Sequence, residues 1–401
     1  MSDLFWPGAH RAGDLMSEEA LLRALIEVEN AWLRALVSHG VAPADAAADL
    51  RPLVSTDDLT AIAVDAEADG NPVSGLVSLL RSRAGDTAAQ WLHRGLTSQD
   101  TLDTALMMCA RDVLRRIEDH LRTQVGALQA LINAHRDAPL LTRTLTQPAL
   151  PGTAGRKFGV WLTALLDAAD TLDALPPIPV QIGGAAGTLA APVELTGSAQ
   201  AARALVRATA GTLGLAASTP WHTTRATTTR IGDALVTCCD AWGHLAGDLA
   251  IAGRPEIGEF TEGGGGGSST MPHKNNPVLT VLLRRAALVA PGLAATLHAA
   301  SAASLDERSD GGWHAEWSTL RTLSRLTVTA GAHAAQLLTG LRFHPDRAAA
   351  NLVSAQGILT EQETMSRLAG HAASPDYLGA TDILVDDVVT RAHRYLEGAH
   401  S

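Results

Sequence analysis

The sequence predicts an all-α protein, an elongated subunit with a central bundle of about five long helices between smaller helical domains. Three observations support this prediction. Alanine and leucine dominate, and aromatic residues make up only 3% of the composition, which favours helix. Apolar side chains recur at steps of three and four over several long stretches. Apolar residues also make up 46% of the 401 residues, enough for a large core.

An N-terminal helical domain is predicted over residues 1–100. Its first helix begins after Ser17, carries apolar residues such as Leu25 and Trp32 at helical spacing, and ends at Gly40. The elements that follow are a helix after Pro43, a helix after Ser55, a turn over residues 69–72 and a helix over residues 73–83.

The long helices are predicted in a central domain, residues 101–344. Thr97 and Ser98 occupy the position of an N-cap, and Asp100 and Asp103 follow in the first turn, where carboxylates complement the helix dipole. Apolar residues then recur from Leu106 to Ile132. This pattern indicates one helix of about 30 residues, longer than the globular average. The other long helices are predicted over residues 156–172, 228–252 and 277–300, and from the end of an interruption at residues 305–317 to residue 341.

The remaining segments are predicted as loops and a small C-terminal domain. Residues 141–155 gather polar side chains and two prolines, which indicates a loop. Residues 181–188 lack the ending of a phosphate loop, so close helix packing or a turn beside substrate is predicted. The C-terminal helical domain is predicted over residues 345–401, with short helices over residues 353–368 and 383–396.

The charge and the cysteines narrow the function classes. A net charge of −11 argues against nucleic acid or an anionic membrane as a partner. Cys109, Cys238 and Cys239 show no metal-ligand spacing, and the adjacent pair does not bridge easily, so a cytoplasmic location is expected. Residues 1–10 lack the layout of a signal peptide, and no uninterrupted apolar run reaches membrane length.

The most informative stretch is residues 263–277, which read GGGGGSSTMPHKNNP. Five consecutive glycines predict a loop that can move. Pro277 then begins a helical pattern, and proline is tolerated in the first turn of a helix. The loop therefore delivers hydroxyls, a cation and amides to a helix N-terminus, where an anion binds favourably. For glycine- and serine-rich runs in general, a flexible linker followed by a capped helix is the more common explanation.

This stretch resembles the signature loop of the fumarase/aspartase superfamily, Gly-Ser-Ser-x-x-Met-Pro-x-Lys-x-Asn in outline, with one residue fewer before Met271. Residues 97–104, Thr-Ser-x-Asp-x-x-Asp-Thr, match a second superfamily motif. The similarity spans about residues 69–352. The segments most similar to bacterial 3-carboxy-cis,cis-muconate cycloisomerases are GNP at 70–72, TSQD at 97–100, QIGGAAGT at 181–188, PWHT at 220–223 and WHAEW at 313–317.

The resemblance implies a homotetramer with a shared helical core, in which neighbouring subunits complete each active site. It implies a small polycarboxylate substrate and no metal or organic cofactor. The implied reaction is the conversion of 3-carboxy-cis,cis-muconate to 4-carboxymuconolactone, in the protocatechuate (β-ketoadipate) route of aromatic breakdown. A substrate carboxylate adds across a double bond of the same molecule, and one carbon is protonated.

The resemblance also implies the roles of individual residues. Addition beside a carboxylate places negative charge on an enolate-like intermediate, which preorganised donors must stabilise. Ser268 is implied as the catalytic acid/base and Lys274 as the cation that assists it, with the glycine-rich loop closing over substrate. Arg143 and Arg308 are candidates to pair with substrate carboxylates. The full set of implied substrate-binding residues is Asn71, Thr97, Ser98, Gln99, Arg143, Thr144, Gln147, His222, Ser269, Met271, Asn276 and Arg308.

One departure from the superfamily pattern bears on the reaction. Fumarases and adenylosuccinate lyases commonly carry histidine where this chain has Leu145. The leucine removes an acid/base partner and argues against elimination of amine or water by the usual scheme. It suits a cycloisomerase, whose nucleophile is already ionised. The alternatives are an adenylosuccinate-lyase-like enzyme that eliminates fumarate from a succinyl substrate, and a catalytically inactive scaffold, against which Ser268, Lys274 and Asn276 argue.

Overall fold

The computed structural model describes residues 3–264, 266–267, 270–271 and 274–398. Fourteen α-helices account for most of these residues, and four short 3-10 helices and four short strands complete the regular structure of the described ranges. The all-α fold class is therefore confirmed. Ser268 and Ser269, on which the predicted chemistry depends, lie outside the described residues.

Five of the helices correspond to the long helices of the predicted bundle: α5, α6, α9, α10 and α11. The bounds in chain order are α1 Glu18–Ser38, α2 Leu59–Asp69, α3 Pro72–Arg83, α4 Asp86–Trp91, α5 Ser98–His135, α6 Ala154–Asp173, α7 Ala190–Thr196, α8 Ala199–Leu213, α9 Ala226–Ala252, α10 Val278–Ala302, α11 Gly311–Gly340, α12 Pro345–Ser354, α13 Thr360–Ala369 and α14 Thr381–Glu397.

The predicted loop over residues 141–155 is wrong, because this segment forms most of a β-hairpin. Strands β1, Pro139–Thr144, and β2, Gln147–Thr153, pair antiparallel. Leu145 and Thr146 form the two-residue turn with φ values of 48° and 71°, as a type I′ turn requires. Two prolines suggested a loop, but both strands of a two-stranded sheet are edges, where proline is tolerated. A second small sheet pairs β3, Phe260–Thr261, with β4, Arg342–Phe343.

Two other predicted boundaries differ from the structure. Helix α11 begins at Gly311, so Trp313 and Trp317 lie within it rather than in the interruption. Their rings stack edge to face one turn apart, with centroids 4.6 Å from each other. The single helix predicted over residues 353–368 is instead the end of α12 and most of α13, separated by residues 355–359.

The chain divides into two compact units. The first unit comprises Met1–Arg115, Ala174–Leu235 and Gly292–Leu326, and the second unit comprises the three remaining stretches. This division follows compactness and cuts across the three domains proposed from chain order, which remain a prediction. In the first unit Trp32 is fully buried and donates to the carbonyl of Arg94 at 2.7 Å.

The core of the second unit contains an aromatic cluster that joins α6 to the second sheet. The rings of Phe158, Trp161, Phe260 and Phe343 contact one another with centroid distances of 5.2–6.0 Å. Edge-to-face and tilted ring pairs stabilise such a core beyond the area that they bury. The indole nitrogen of Trp161 donates to Asp248 at 2.7 Å, so its polar edge is satisfied.

Helix α10 is unusually apolar for its exposure. Val281 and Leu288 are 56% and 82% exposed in the isolated chain. It is the one described helix long and apolar enough to cross a membrane, a test that core helices of globular proteins also pass. Two arginines, Arg284 and Arg285, interrupt its apolar run. Such an apolar face suits the helix contacts that the predicted homotetramer requires.

Candidate active site

In the first unit, the motif at the start of α5 is organised around the buried carboxylate of Asp100. The backbone N–H of Thr97 donates to it at 3.1 Å, which is one half of a capping box. Asp100 is fully buried, so each lone pair needs a donor. The other donors come from residues far away in sequence: Gly183 N at 2.9 Å, Gly184 N at 2.8 Å, Gln181 Nε2 at 2.9 Å and His222 Nε2 at 3.0 Å.

His222, a predicted substrate-binding residue, is only 4% exposed. Because Asp100 accepts from its Nε2, that nitrogen is not available to a substrate, and Nδ1 is the remaining polar atom of the ring. The ring fits only because two neighbours lack side chains. A Cβ on Gly183 would lie 2.6 Å from the ring, and one on Gly187 would lie 3.3 Å from Nδ1. The segment 181–188, predicted as close helix packing or a turn beside substrate, therefore packs around His222 in the structure.

A second buried network lies beside the first. Arg225 contacts Asp103 at 2.7 and 3.1 Å and Glu316 at distances of 2.6–3.1 Å. The three side chains are 3% exposed or less. Burial alone would lower the pKa of Arg225, but the two carboxylates raise it, so the guanidinium stays charged. Burial raises the pKa of Glu316 despite its contact with Arg225.

Gln99 and Trp313 join these networks to the rest of the site. Gln99 is fully buried and donates through Nε2 to Asp103 at 3.2 Å and to the carbonyl of His222 at 2.9 Å. The indole of Trp313 donates to Asp103 at 2.9 Å. Gln99 was predicted to bind substrate, and in the structure these contacts engage its amide nitrogen within the protein.

The remaining predicted residues of the first unit differ in exposure. Asn71 is the N-cap of α3, and its side-chain oxygen accepts from the amides of Val73 and Ser74. Its amide nitrogen donates to the carbonyl of Asp69 at 3.0 Å, so both ends of the side chain are engaged within the chain. Thr97 is buried and Ser98 is half-buried as the first residue of α5. Arg308 is exposed and makes no ion pair with any described residue.

In the second unit, the hairpin carries three predicted substrate-binding residues. Thr144 and Gln147 are exposed and face each other across the turn. Leu145 between them is 95% exposed. Arg143, which was predicted to bind a substrate carboxylate, is paired within the chain: both ends of its guanidinium bind Glu259 at 2.9 and 3.1 Å. Because Glu259 is almost fully buried, this pair anchors the hairpin in the structure.

A cavity of about 440 Å³ lies at the base of this hairpin. Its charged walls include the Arg143–Glu259 pair, Lys157 paired with Asp248 at 2.7 Å, and Arg156. Within the described ranges, no group of three or more histidine, cysteine, aspartate or glutamate side chains is arranged to hold a metal ion.

The signature segment contributes exposed side chains in the second unit. Lys274 is exposed and forms no ion pair with the described residues, Met271 is 41% exposed, and Asn276 is half-buried. The backbones of Gly266 and Asn276 exchange two hydrogen bonds, at 3.0 and 2.8 Å. The N-terminus of α10, predicted as a place for an anion, binds a carboxylate of the chain itself, because Glu262 accepts from the amides of Leu279 and Thr280.

Sequence reasoning missed the acidic and basic residues that hold the site together. Asp100 and Asp103 were interpreted as first-turn residues that complement the helix dipole. Their spacing of three places both on one face of α5, the face that Leu106 buries, and this signal could have predicted their burial. Arg225, Glu259 and Glu316 gave no such signal, because their partners lie about 90 residues or more away in sequence.

The fold and these motifs define a lyase-type enzyme whose polar motifs lie at the ends of long helices. The chain belongs to the lyase family of the fumarase/aspartase superfamily, whose family model matches residues 13–292. It is 41% identical over 349 residues to nitrosuccinate lyase of Streptomyces davaonensis, covering 84% of this chain and 73% of the relative. It is 36% identical over 366 residues to 3-carboxy-cis,cis-muconate cycloisomerase of Pseudomonas aeruginosa, covering 88% and 78%. The solved structure of a 3-carboxy-cis,cis-muconate lactonizing enzyme from Pseudomonas putida matches with a TM-score of 0.84 at 28% identity, covering 96% and 97%.

Proposed function

We propose that this enzyme adds or eliminates a weakly basic anion at the carbon–carbon double bond of a small polycarboxylate. The observation that carries the proposal is Leu145. The hairpin tip, where the resemblance places histidine in enzymes that eliminate amines or water, presents an exposed hydrocarbon side chain. Amines and hydroxide need a proton to leave, and so they need a general acid. A carboxylate or nitrite leaves as a stable anion and needs none.

The proposed chemistry assigns Ser268 and the two exposed cations, Lys274 and Arg308, to the substrate. Ser268 moves the proton at the carbon beside a substrate carboxylate, and the cation of Lys274 stabilises the enolate-like charge that results. Arg308 pairs with a second carboxylate. Support comes from the exposure of Lys274 and Arg308 and from their lack of ion pairs among the described residues. We further propose that assembly as a homotetramer brings together the residues of the two units from different subunits.

Two substrates fit this chemistry, and we rank them by the sequence identity of the relatives that are named for them. Elimination of nitrite from nitrosuccinate, which yields fumarate, comes first because the nitrosuccinate lyase is 41% identical to this chain. In that reaction Ser268 takes a proton from the carbon next to the one that carries the nitro group. Lactonisation of 3-carboxy-cis,cis-muconate comes second, favoured by the 36% identical cycloisomerase and by the TM-score of 0.84.

A direct comparison of substrates tests the proposal. The purified protein is incubated in parallel with nitrosuccinate, with 3-carboxy-cis,cis-muconate and with adenylosuccinate. Nitrite and fumarate are measured in the first reaction, loss of diene absorbance in the second, and fumarate in the third. We expect turnover of the first or second substrate, and loss of that turnover in Ser268→Ala with an unchanged oligomeric state. Turnover of adenylosuccinate alone would overturn the proposal, because its leaving group is an amine.

A further inference from the structure

Glu262 lies immediately before the glycine run, one residue after the end of β3. Its carboxylate accepts from the backbone N–H of Leu279 at 3.1 Å and of Thr280 at 2.6 Å. These amides belong to the first turn of α10, on the other side of the signature segment. One side chain therefore joins the two ends of that segment. A carboxylate is also the favourable charge at a helix N-terminus.

The backbone around this contact is held at two further points. Gly266 and Asn276 exchange two backbone hydrogen bonds, at 3.0 and 2.8 Å. Gly263 packs against the last residue of α11, where a Cβ would collide with the carbonyl of Gly340. The first and fourth glycines of the run are thus fixed against other backbone, although the run as a whole predicts free movement.

These contacts also engage backbone amides that could otherwise stabilise the negative charge of an intermediate. The amides of Leu279 and Thr280 bind Glu262, and that of Asn276 binds the carbonyl of Gly266. The amide of Lys274 donates to the carbonyl of Met271 at 3.0 Å. These four amides are engaged within the chain, so they are not free to stabilise the charge of an enolate-like intermediate, whereas the side chain of Lys274 carries a cation that can.

We propose that Glu262 is a positioning residue, which fixes the start of α10 and thereby the place from which Asn276 and Lys274 reach the substrate. This inference rests on the proposed function for the role of Lys274. The opposite role would be competition, in which a substrate carboxylate displaces Glu262 from the amides of α10. The two roles predict opposite changes in KM when the charge of Glu262 is removed.

The test compares Glu262→Gln and Glu262→Ala with the wild-type protein. Hydrogen–deuterium exchange is measured on the peptide that contains Leu279 and Thr280, and kcat and KM on the substrate that the wild type turns over. We expect exchange at these amides to rise about tenfold or more in Glu262→Ala. We expect kcat to fall about 10- to 100-fold, with KM unchanged or raised. Glu262→Gln keeps one acceptor oxygen, so its exchange rate and its kcat should lie between those of the wild type and those of Glu262→Ala.

Ser198→Ala is the matched control. The side chain of Ser198 caps α8 by accepting from the amide of Ala201 at 3.1 Å, and it lies outside the candidate site. Loss of this cap should lower the melting temperature but leave kcat and KM unchanged. A similar fall in kcat in the control would show that Glu262 acts only through stability, which would overturn the proposal.

Two other results would also overturn it. A fall of KM in Glu262→Gln would establish competition with substrate, and unchanged exchange at Leu279 and Thr280 would show that Glu262 does not hold the start of α10. Failure of the proposed function has a separate signature, namely a wild-type protein inactive on both substrates. The exchange measurement needs no substrate, so in that case it decides the structural role of Glu262 by itself.

Discussion

The motif residues of the first unit and those of the signature segment present opposite surroundings. Asp100, Asp103 and Arg225 are buried, and each makes several hydrogen bonds to other parts of the same unit. Lys274 and Met271 are exposed. A buried ionic network is costly to form and costly to break, whereas an exposed cation costs little. The first set therefore acts as a frame, and the second set is placed to contact a substrate.

The comparison divides the motif residues into a buried frame and an exposed set, and substitutions can test this division. Changes in the frame should lower the stability of the fold, and changes in the exposed set should lower turnover without lowering stability. The predictions that follow run from the largest expected effect to the smallest.

The largest effect is expected in the frame. Arg225→Met leaves Asp103 and Glu316 buried without their shared cation, so we expect the free energy of unfolding to fall by about 3–5 kcal/mol. Urea denaturation at neutral pH measures it. Arg51→Met is the matched control, because the exposed pair of Arg51 with Asp49 is screened by water, and its denaturation midpoint should not change. A loss of less than about 1 kcal/mol in Arg225→Met would contradict the frame.

The second effect is expected in the exposed set. Lys274→Met removes the proposed partner of the enolate-like charge and should lower kcat by about 100-fold or more. Because Lys274 forms no ion pair with the described residues, the urea midpoint should stay at the wild-type value. Steady-state kinetics and denaturation of the same preparation measure both. If the variant loses stability instead of turnover, Lys274 belongs to the frame and the comparison fails.

The features that could be predicted from the sequence differ in the same way between the exposed residues and the buried frame. Local signals were sufficient for the long helices, since apolar spacing and the cap at Thr97 act within a few residues. They also identified the signature segment, because its unusual residues are contiguous. The hairpin was missed because its two prolines suggested a loop, and the two-residue turn between the strands was not recognised. The buried partners of Arg143 and Arg225 were missed because such contacts depend on which distant elements meet, and a single sequence carries no local sign of that.

The two arginines that were predicted to bind substrate carboxylates test the same comparison between buried and exposed residues. The expected effect of changing them is smaller. Arg143 is paired with buried Glu259, whereas Arg308 is exposed and unpaired among the described residues. Arg143→Gln should therefore lower the free energy of unfolding by about 2 kcal/mol. Arg308→Gln should leave the unfolding free energy unchanged and raise KM by roughly tenfold or more. The reverse assignment, with Arg143→Gln acting only on KM, would place Arg143 among the substrate contacts.

The smallest effect is expected at the edge of the frame, where His93 binds Glu29 at 2.7 Å. Glu29 is buried and also accepts from the hydroxyl of Thr101 in α5 at 2.8 Å. Burial alone would lower the pKa of His93, but the charge and the hydrogen bond of Glu29 raise it above the usual 6.5. A folded-state pKa above the unfolded one gives stability that is fully present below pH 6.5 and is lost as the pH rises through the folded-state value.

We therefore expect the urea midpoint of the wild type to fall as the pH is raised from about 6 to about 8.5. His93→Gln should remove that part of the pH dependence, because a neutral side chain cannot gain or lose the proton. His371→Gln is the control, since His371 is exposed and pairs with no carboxylate of the described residues, and it should keep the wild-type slope. Identical slopes in the wild type and His93→Gln would mean that the His93–Glu29 pair carries no proton-linked stability. The frame would then owe its stability to the networks of Asp100 and Arg225 alone.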